Sequence, residues 1–193
     1  ETEIFHFCSN TLTTPHAAKV TEFALSQANK VNANISFDVN LRHNLWSNNK
    51  VDAELVHRFL NRADLVKFST EEINFLSNDK PTQLIEQLLN NKTSLIVVTD
   101  GGGDVQYYTR LSNGVLRVPQ VEVIDTTAGG DGFVGGLLYE LSKESCDWFK
   151  DIKISDLENK LKFAITCGAI TVSQKGAYPA LPILDEVRDF YVD

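Results

Sequence analysis

Apolar residues recur along the chain in two periods, and stretches of the two alternate. Residues 4–8 (Ile-Phe-His-Phe-Cys) form a short run suited to a buried strand. Thr13-Thr14-Pro15 supplies a cap and a proline near a first helical position. This predicts a helix over 15–30, with Val20, Phe23, Ala24 and Ala28 on its apolar side. A turn at 32–34 leads to a strand over 35–38. A helix over 51–63 follows (Leu55, Val56, Phe59, Leu60), then a strand over 63–68. The pattern repeats with a helix over 81–91 (Leu84, Ile85, Leu88, Leu89) and a strand over 95–99. That last strand is continuously apolar, which suits a sheet covered on both faces. Val105–Tyr108 and Val115–Val118 read as a hairpin around Ser112-Asn113-Gly114, and Val121–Ile124 as a short strand. Helices over about 131–143 and 156–173 close the chain, the second rich in small residues around Cys167-Gly168-Ala169. Unbroken alternation of strand and helix predicts an α/β fold and a single domain over 1–193.

Composition narrows the function classes. The chain has 193 residues, 42% hydrophobic, which is enough for a sizeable core. A net charge of −8 argues against a general binder of nucleic acid or of anionic membrane. Cys8, Cys146 and Cys167 are scattered and odd in number, as expected of free thiols in a reducing cytoplasm. The four histidines form no metal-ligand spacing, and no apolar run is long enough to span a bilayer. With no methionine, residue 1 is expected to lie inside a longer protein.

The chemistry concentrates in Asp125-Thr126-Thr127-Ala128-Gly129-Gly130-Asp131-Gly132-Phe133. A glycine-rich turn here runs into a helix, so backbone N–H groups and the positive end of the helix dipole make an anion site. Asp131 inside such a site repels the anion unless it accepts a proton. A plain glycine loop with Asp131 as an early helical residue is the alternative. Asp38, Asn40 and Arg42 stand at a strand's carboxyl end, where ligand groups collect in open α/β sheets. Arg42 offers a donor fork suited to phosphate. Ser69 and Glu72 form a capping box. Thr99-Asp100-Gly101-Gly102-Gly103-Asp104 is a glycine-rich turn after another strand.

Taken in order, these stretches resemble the ribokinase-like, or PfkB, carbohydrate kinase family. Its signature reads Asp-Thr-x-Gly-Ala-Gly-Asp-x-Phe, against Ala128-Gly129-Gly130 as the small triplet here. Phe37-Asp38-Val39-Asn40-Leu41-Arg42 with Leu45-Trp46 resembles the Phe-Asp-Pro-Asn-Leu-Arg…Leu-Trp segment of the fructokinase branch, with Val39 for proline. Lys175-Gly176-Ala177-Tyr178-Pro179 resembles the family's late Lys-Gly-Ala element.

The resemblance implies a three-layer α/β/α fold with a mostly parallel sheet. It also implies that the family's N-terminal strands and β lid precede residue 1 and are absent from this chain. The implied reaction is ATP-dependent phosphorylation of a sugar hydroxyl. Asp131 would be the catalytic base, with Ala128, Gly129 and Gly130 in the anion hole. Asn40, Thr99, Gly101, Gly103 and Ile165 would contact ATP, and Arg42 substrate or phosphate. Glu72 would hold Mg2+ through water. Asp125, Thr127, Thr171 and Gly176 would surround a monovalent cation such as K+, unless Asp125 simply holds the loop through backbone N–H groups. The implied partner is a small sugar, with no nucleic acid and no membrane, and a homodimer through the lid is open. Asp104, Ser69 and Ala128 depart from the family pattern, which leaves a catalytically silent nucleotide-binding module as the alternative. A dinucleotide-binding oxidoreductase lacks support, since no Gly-x-Gly-x-x-Gly follows the first strand.

Overall fold

A computed structural model describes residues 2–145 and 147–190; Cys146, with its expected free thiol, lies outside them. Six strands form one sheet in sequence order: β1 (Ile4–Cys8), β2 (Asn34–Asp38), β3 (Leu65–Ser69), β4 (Leu95–Thr99), β5 (Val105–Thr109) and β6 (Asn113–Leu116). The first four are parallel, and β5 returns antiparallel to β4. Between them run α1 (Pro15–Lys30), α2 (Ala53–Leu60), α3 (Thr70–Ser77) and α4 (Pro81–Asn90). Later in the chain come α5 (Gly129–Leu141), α6 (Ile154–Val172) and α7 (Leu184–Asp189). Two compact units emerge: 1–101 with 106–114 and 146–150, and 102–105 with 115–145 and 151–193. They interleave along the chain.

In the first unit the strand order advances steadily, so right-handed crossovers carry α1 to α4 over one face of the sheet. The buried cluster agrees. Phe37, Val66, Phe68, Ile96 and Val98 pack with Leu25 of α1, Phe59 and Leu60 of α2, Ile73 of α3 and Leu88 of α4. Each large apolar side chain withdrawn from water here contributes about 1.5–3 kcal/mol. Alternate strand residues point the other way, and Leu65, Leu95, Val97 and Tyr107 are buried there too. Both faces are therefore covered, as the apolar run at 95–99 requires.

Three details depart from the pattern read in the sequence. The buried side of α1 is Ala18, Thr21, Leu25 and Ala28, while Val20 and Phe23 are exposed. Thr21 can be buried because its hydroxyl donates to the carbonyls of Thr11 and Ala17. Residues 121–124 form no strand. The N–H groups of Ile124 and Asp125 instead donate to the carbonyl of Val172 at the end of α6. The hairpin turns earlier than Ser112-Asn113-Gly114, because Thr109 closes it: its hydroxyl accepts from Leu111 and Ser112 N–H and donates to the Ser112 carbonyl. Gly114 then lies inside β6, where an added Cβ would meet the Tyr107 hydroxyl at 2.4 Å.

In the second unit α5 packs along α6. Ala128, the cap of α5, adopts φ 61°, ψ 8°, the left-handed region that a Cβ disfavours. Ala128→Gly relieves that strain and loses some unfolded-state restriction, for a net gain of about 0.5–1 kcal/mol. A rise in thermal midpoint is the expected result, and a fall would mean the Ala128 methyl packs usefully.

Candidate functional site

Residues flagged in the sequence fall into two clusters, one in each unit. In the first, they stand at the carboxyl ends of β2 to β4, on the edge where β1 also ends. Parallel strands end together on one edge, so groups far apart in sequence meet there. Ser9 follows β1, is buried, and its hydroxyl donates to the Asn40 carbonyl at 3.1 Å. Asn40 follows β2 with φ 37°, a conformation asparagine tolerates better than most side chains. Leu41 N–H then donates to Glu72 Oε1 at 2.7 Å. The other Glu72 oxygen accepts from Ser69 N–H at 2.7 Å, and Ser69 Oγ accepts from Glu72 N–H, so the expected capping box is complete. Glu72 thus does two jobs: it caps α3 and ties the Asn40–Leu41 turn to the end of β3.

Thr99, half-buried at the end of β4, donates its hydroxyl to the Phe68 carbonyl at 3.3 Å. Gly101 follows with φ 56°, and a Cβ there would meet nothing within 4 Å. That glycine serves its backbone conformation rather than a close neighbour. Arg42 is exposed and has no ion-pair partner among the described residues. Its guanidinium is available to a ligand anion.

The same cluster contains a pair that the sequence reading passed over. Lys67 and Asp38 are register partners on adjacent strands, and Lys67 Nζ lies 3.1 Å from Asp38 Oδ1. Both residues are buried, 8% and 3% exposed. The available signal was a lysine between Val66 and Phe68 in an otherwise apolar strand.

The second cluster is built on the loop before α5. Asp125 Oδ1 accepts from Thr127 N–H at 2.9 Å, and Oδ2 accepts from Gly176 N–H at 3.0 Å. Hydrogen bonds from Thr127 and then Gly176, with the Lys175 charge, hold the Asp125 carboxyl below its ordinary range. The sign follows from linkage. A carboxylate whose folded pKa is depressed stabilises above its unfolded pKa and loses that contribution as pH falls through the folded value. Acidification below the ordinary carboxylate range should therefore release the 174–177 turn from the loop. Amide exchange at Gly176, corrected for its intrinsic pH dependence, should rise there and nowhere above pH ~5; a flat profile would overturn the assignment.

Of the groups expected around a cation, this latch brings Asp125, Thr127 and Gly176 together, while the Thr171 carbonyl already accepts from Gln174 N–H at 3.3 Å. Ile165 lies inside α6, 4% exposed. Gly103 belongs to the second unit and is half-buried.

Asp131 sits in the first turn of α5 and is exposed. The first intrahelical bond runs from Gly132 N–H to the Ala128 carbonyl at 2.7 Å. The N–H groups of Gly130 and Asp131 precede it and have no partner within the helix. The Gly129 N–H is engaged, weakly, with the Thr126 carbonyl at 3.4 Å. Asp131 also borders a groove of about 400 Å3 walled by Tyr139, Phe163, Cys167, Leu181 and Leu184. Burial pushes the Cys167 thiol up to about 11, with Glu140 adding to it, so it stays protonated and unreactive near neutral pH.

The sequence reading also passed over the spacing of Gly129, Gly132 and Gly136. A Cβ at these positions would meet Val172 at 2.5 Å, Thr171 at 2.4 Å and Cys167 at 2.7 Å, all on α6. The three glycines form a helical stripe that lets α6 approach closely and seats the start of α5. Among the described residues no helix is long and apolar enough to cross a membrane.

Residues 1–184 match the pfkB family carbohydrate kinase. A probable fructokinase-7 of Arabidopsis thaliana is 35% identical over 191 residues, covering 97% of this chain and 55% of that protein. The chain thus spans about half the length of that relative. A fructokinase of Xylella fastidiosa, solved with bound ATP, is 36% identical over 98% of this chain and 61% of its own, with a TM-score of 0.92. A fructokinase of Vibrio cholerae O395, solved with fructose, ADP and calcium ion, is 36% identical with the same coverage and a TM-score of 0.89. The architecture shared with these structures is the ribokinase-like three-layer α/β/α fold with a mostly parallel sheet.

Proposed function

Since this chain belongs to the pfkB family of carbohydrate kinases, we propose that it carries the phosphoryl-transfer half of an ATP-dependent sugar kinase with Asp131 as general base. The observation that carries the reading is the start of α5. A carboxylate with no ion-pair partner among the described residues stands beside N–H groups left unbonded by the helix. In the reaction, the acceptor hydroxyl oxygen attacks the γ-phosphorus of ATP and its proton passes to the Asp131 carboxylate. The bond from γ-phosphorus to the bridging oxygen breaks, and ADP leaves. Charge on the transferring group falls where the N–H groups of Gly130 and Asp131 and the helix dipole offset it.

The first cluster supplies the nucleotide side. Its Asn40, Thr99 and Gly101 contact ATP, and Arg42 takes a phosphate or the substrate; the family resemblance adds Gly103 and Ile165, both of the second unit, as ATP contacts. The donor set fits Mg2+ held through water near Asn40 and Glu72, because both Glu72 oxygens already accept a backbone N–H and keep lone pairs for water. Bound there, the ion neutralises phosphate charge. The Asp125 latch, with Thr127 and Gly176, suits a monovalent cation such as K+, as the potassium-bound form of the Vibrio cholerae double mutant suggests by analogy.

The sugar class follows the relatives. Fructose is the first acceptor to test, because the Vibrio cholerae structure holds it. The experiment is ATP-dependent phosphorylation of a sugar panel including fructose and 2-keto-3-deoxygluconate. ADP formation that depends on one sugar supports the reading. With the complete protein, ATP binding and no transfer to any sugar replaces it with a silent nucleotide-binding module.

A further inference from the structure

We propose that Lys67 is a positioning residue, which sets the Asn40–Leu41 turn through its buried pair with Asp38. Asp38, the last residue of β2, and Lys67, inside β3, are register partners. Their charged groups lie 3.1 Å apart with side chains 4% and 10% exposed. Two charges withdrawn from water are a poor way to stabilise a sheet, since a well-packed apolar pair does as well or better. On the pair's own face of the sheet the strand neighbours Leu65 and Val97 are apolar and buried, and Ser36 is the buried polar one. Stability alone therefore does not account for a lysine here.

Geometry does. Asp38 is the last residue of β2, and the next N–H, from Val39, donates to the Lys67 carbonyl at 3.0 Å. Lys67 thus holds the exit of β2 twice, by its carbonyl and by its ammonium group. One residue later the backbone turns into the left-handed region at Asn40. Ser9 then takes the Asn40 carbonyl, and Glu72 the Leu41 N–H. A strand exit free to rotate about Asp38 would deliver neither group to its partner. The ion pair fixes the direction from which the turn starts.

The inference deepens the proposed nucleotide role of Asn40 and rests on that reading for its functional consequence, but its structural content is tested separately. The double variant Asp38→Leu/Lys67→Met replaces the pair by apolar side chains. Amide exchange is measured at Leu41, whose N–H is held by Glu72, and at Leu88 in α4, which reports global opening. We expect a thermal midpoint near that of the wild type and Leu88 exchange unchanged, with Leu41 exchange faster by about tenfold or more. Leu41 protected as in the wild type would overturn the proposal, because the pair would then be replaceable packing. Should the double variant not fold, Asp38→Asn keeps the shape and removes one charge. The same divergence between Leu41 and Leu88 is expected, and its absence is equally fatal. Titration of the wild type with Mg·ATP runs in parallel. No binding there would refute the nucleotide role of Asn40 and leave the exchange result standing.

Discussion

With asparagine at position 131, phosphoryl transfer is expected to fall by about 10^2- to 10^4-fold, the range a positioned general base contributes. Affinity for Mg·ATP should hold or tighten slightly, because a negative charge beside the bound phosphates is removed. Asparagine keeps the shape of the side chain and cannot accept the hydroxyl proton. Asp131 is exposed and makes no ion pair among the described residues, so its charge does little for the fold. The main cost is a favourable interaction with the helix dipole, about 0.3–1 kcal/mol. A lost rate with a nearly unchanged thermal midpoint therefore assigns the effect to chemistry. Turnover within about tenfold of the wild type would remove Asp131 from the role of base.

The second large effect is on stability. Gly136→Val places a branched side chain where even a Cβ would lie 2.7 Å from Cys167 Sγ and 3.2 Å from the Ala164 backbone. The sulfur can shift by rotation, but the backbone of α6 cannot, so the helices must separate. Overpacking of this kind costs about 1–3 kcal/mol, and the backbone clash points to the upper end or beyond. Gly135→Ala, one position earlier, meets nothing within 4 Å. It should gain up to about 1 kcal/mol, the usual advantage of alanine over glycine inside a helix. Thermal midpoints of the two variants, moving in opposite directions from adjacent positions, test the packing of α5 on α6. Equal shifts would show that the glycines serve flexibility and not approach.

What could be read from the sequence was what is local. The capping box at Ser69–Glu72 was legible because its two halves are three residues apart and face each other by helix geometry alone. The second job of Glu72 was not, because Leu41 is 31 positions away and reaches it only once β2 and β3 lie side by side. The apolar face of α1 was misread for a related reason. Val20, Phe23 and Ala24 satisfy a helical spacing, but the sheet sits against the line through Ala18, Leu25 and Ala28, with Thr21 made tolerable by carbonyls from its own and the preceding turn. The strand expected at 121–124 had the right alternation, but its last N–H, from Ile124, goes to the end of α6 rather than to a strand. The ordered set of strand-end motifs fared better. Parallel strands carry their carboxyl ends to one edge, so a sequence that repeats strand, polar group, helix already states where the polar groups go. The glycine stripe was legible in principle, since its spacing of three and four is that of a helix face.

The Asp125 latch also has a consequence for the order in which the chain assembles. Its bond to Gly176 joins residues 51 positions apart. The whole of α5 and α6 lies between them, so closing that ring before the two helices dock would cost chain entropy with no contacts to offset it. The loop that leads into α5 is therefore expected to be among the last parts of the second unit to set and among the first to open. In pulse-labelled exchange during refolding, Gly176 should gain protection after the middle of α6; protection gained earlier would show the latch forming first. The folding pathway then delivers the helices first and the Asp125 latch at the start of α5 last.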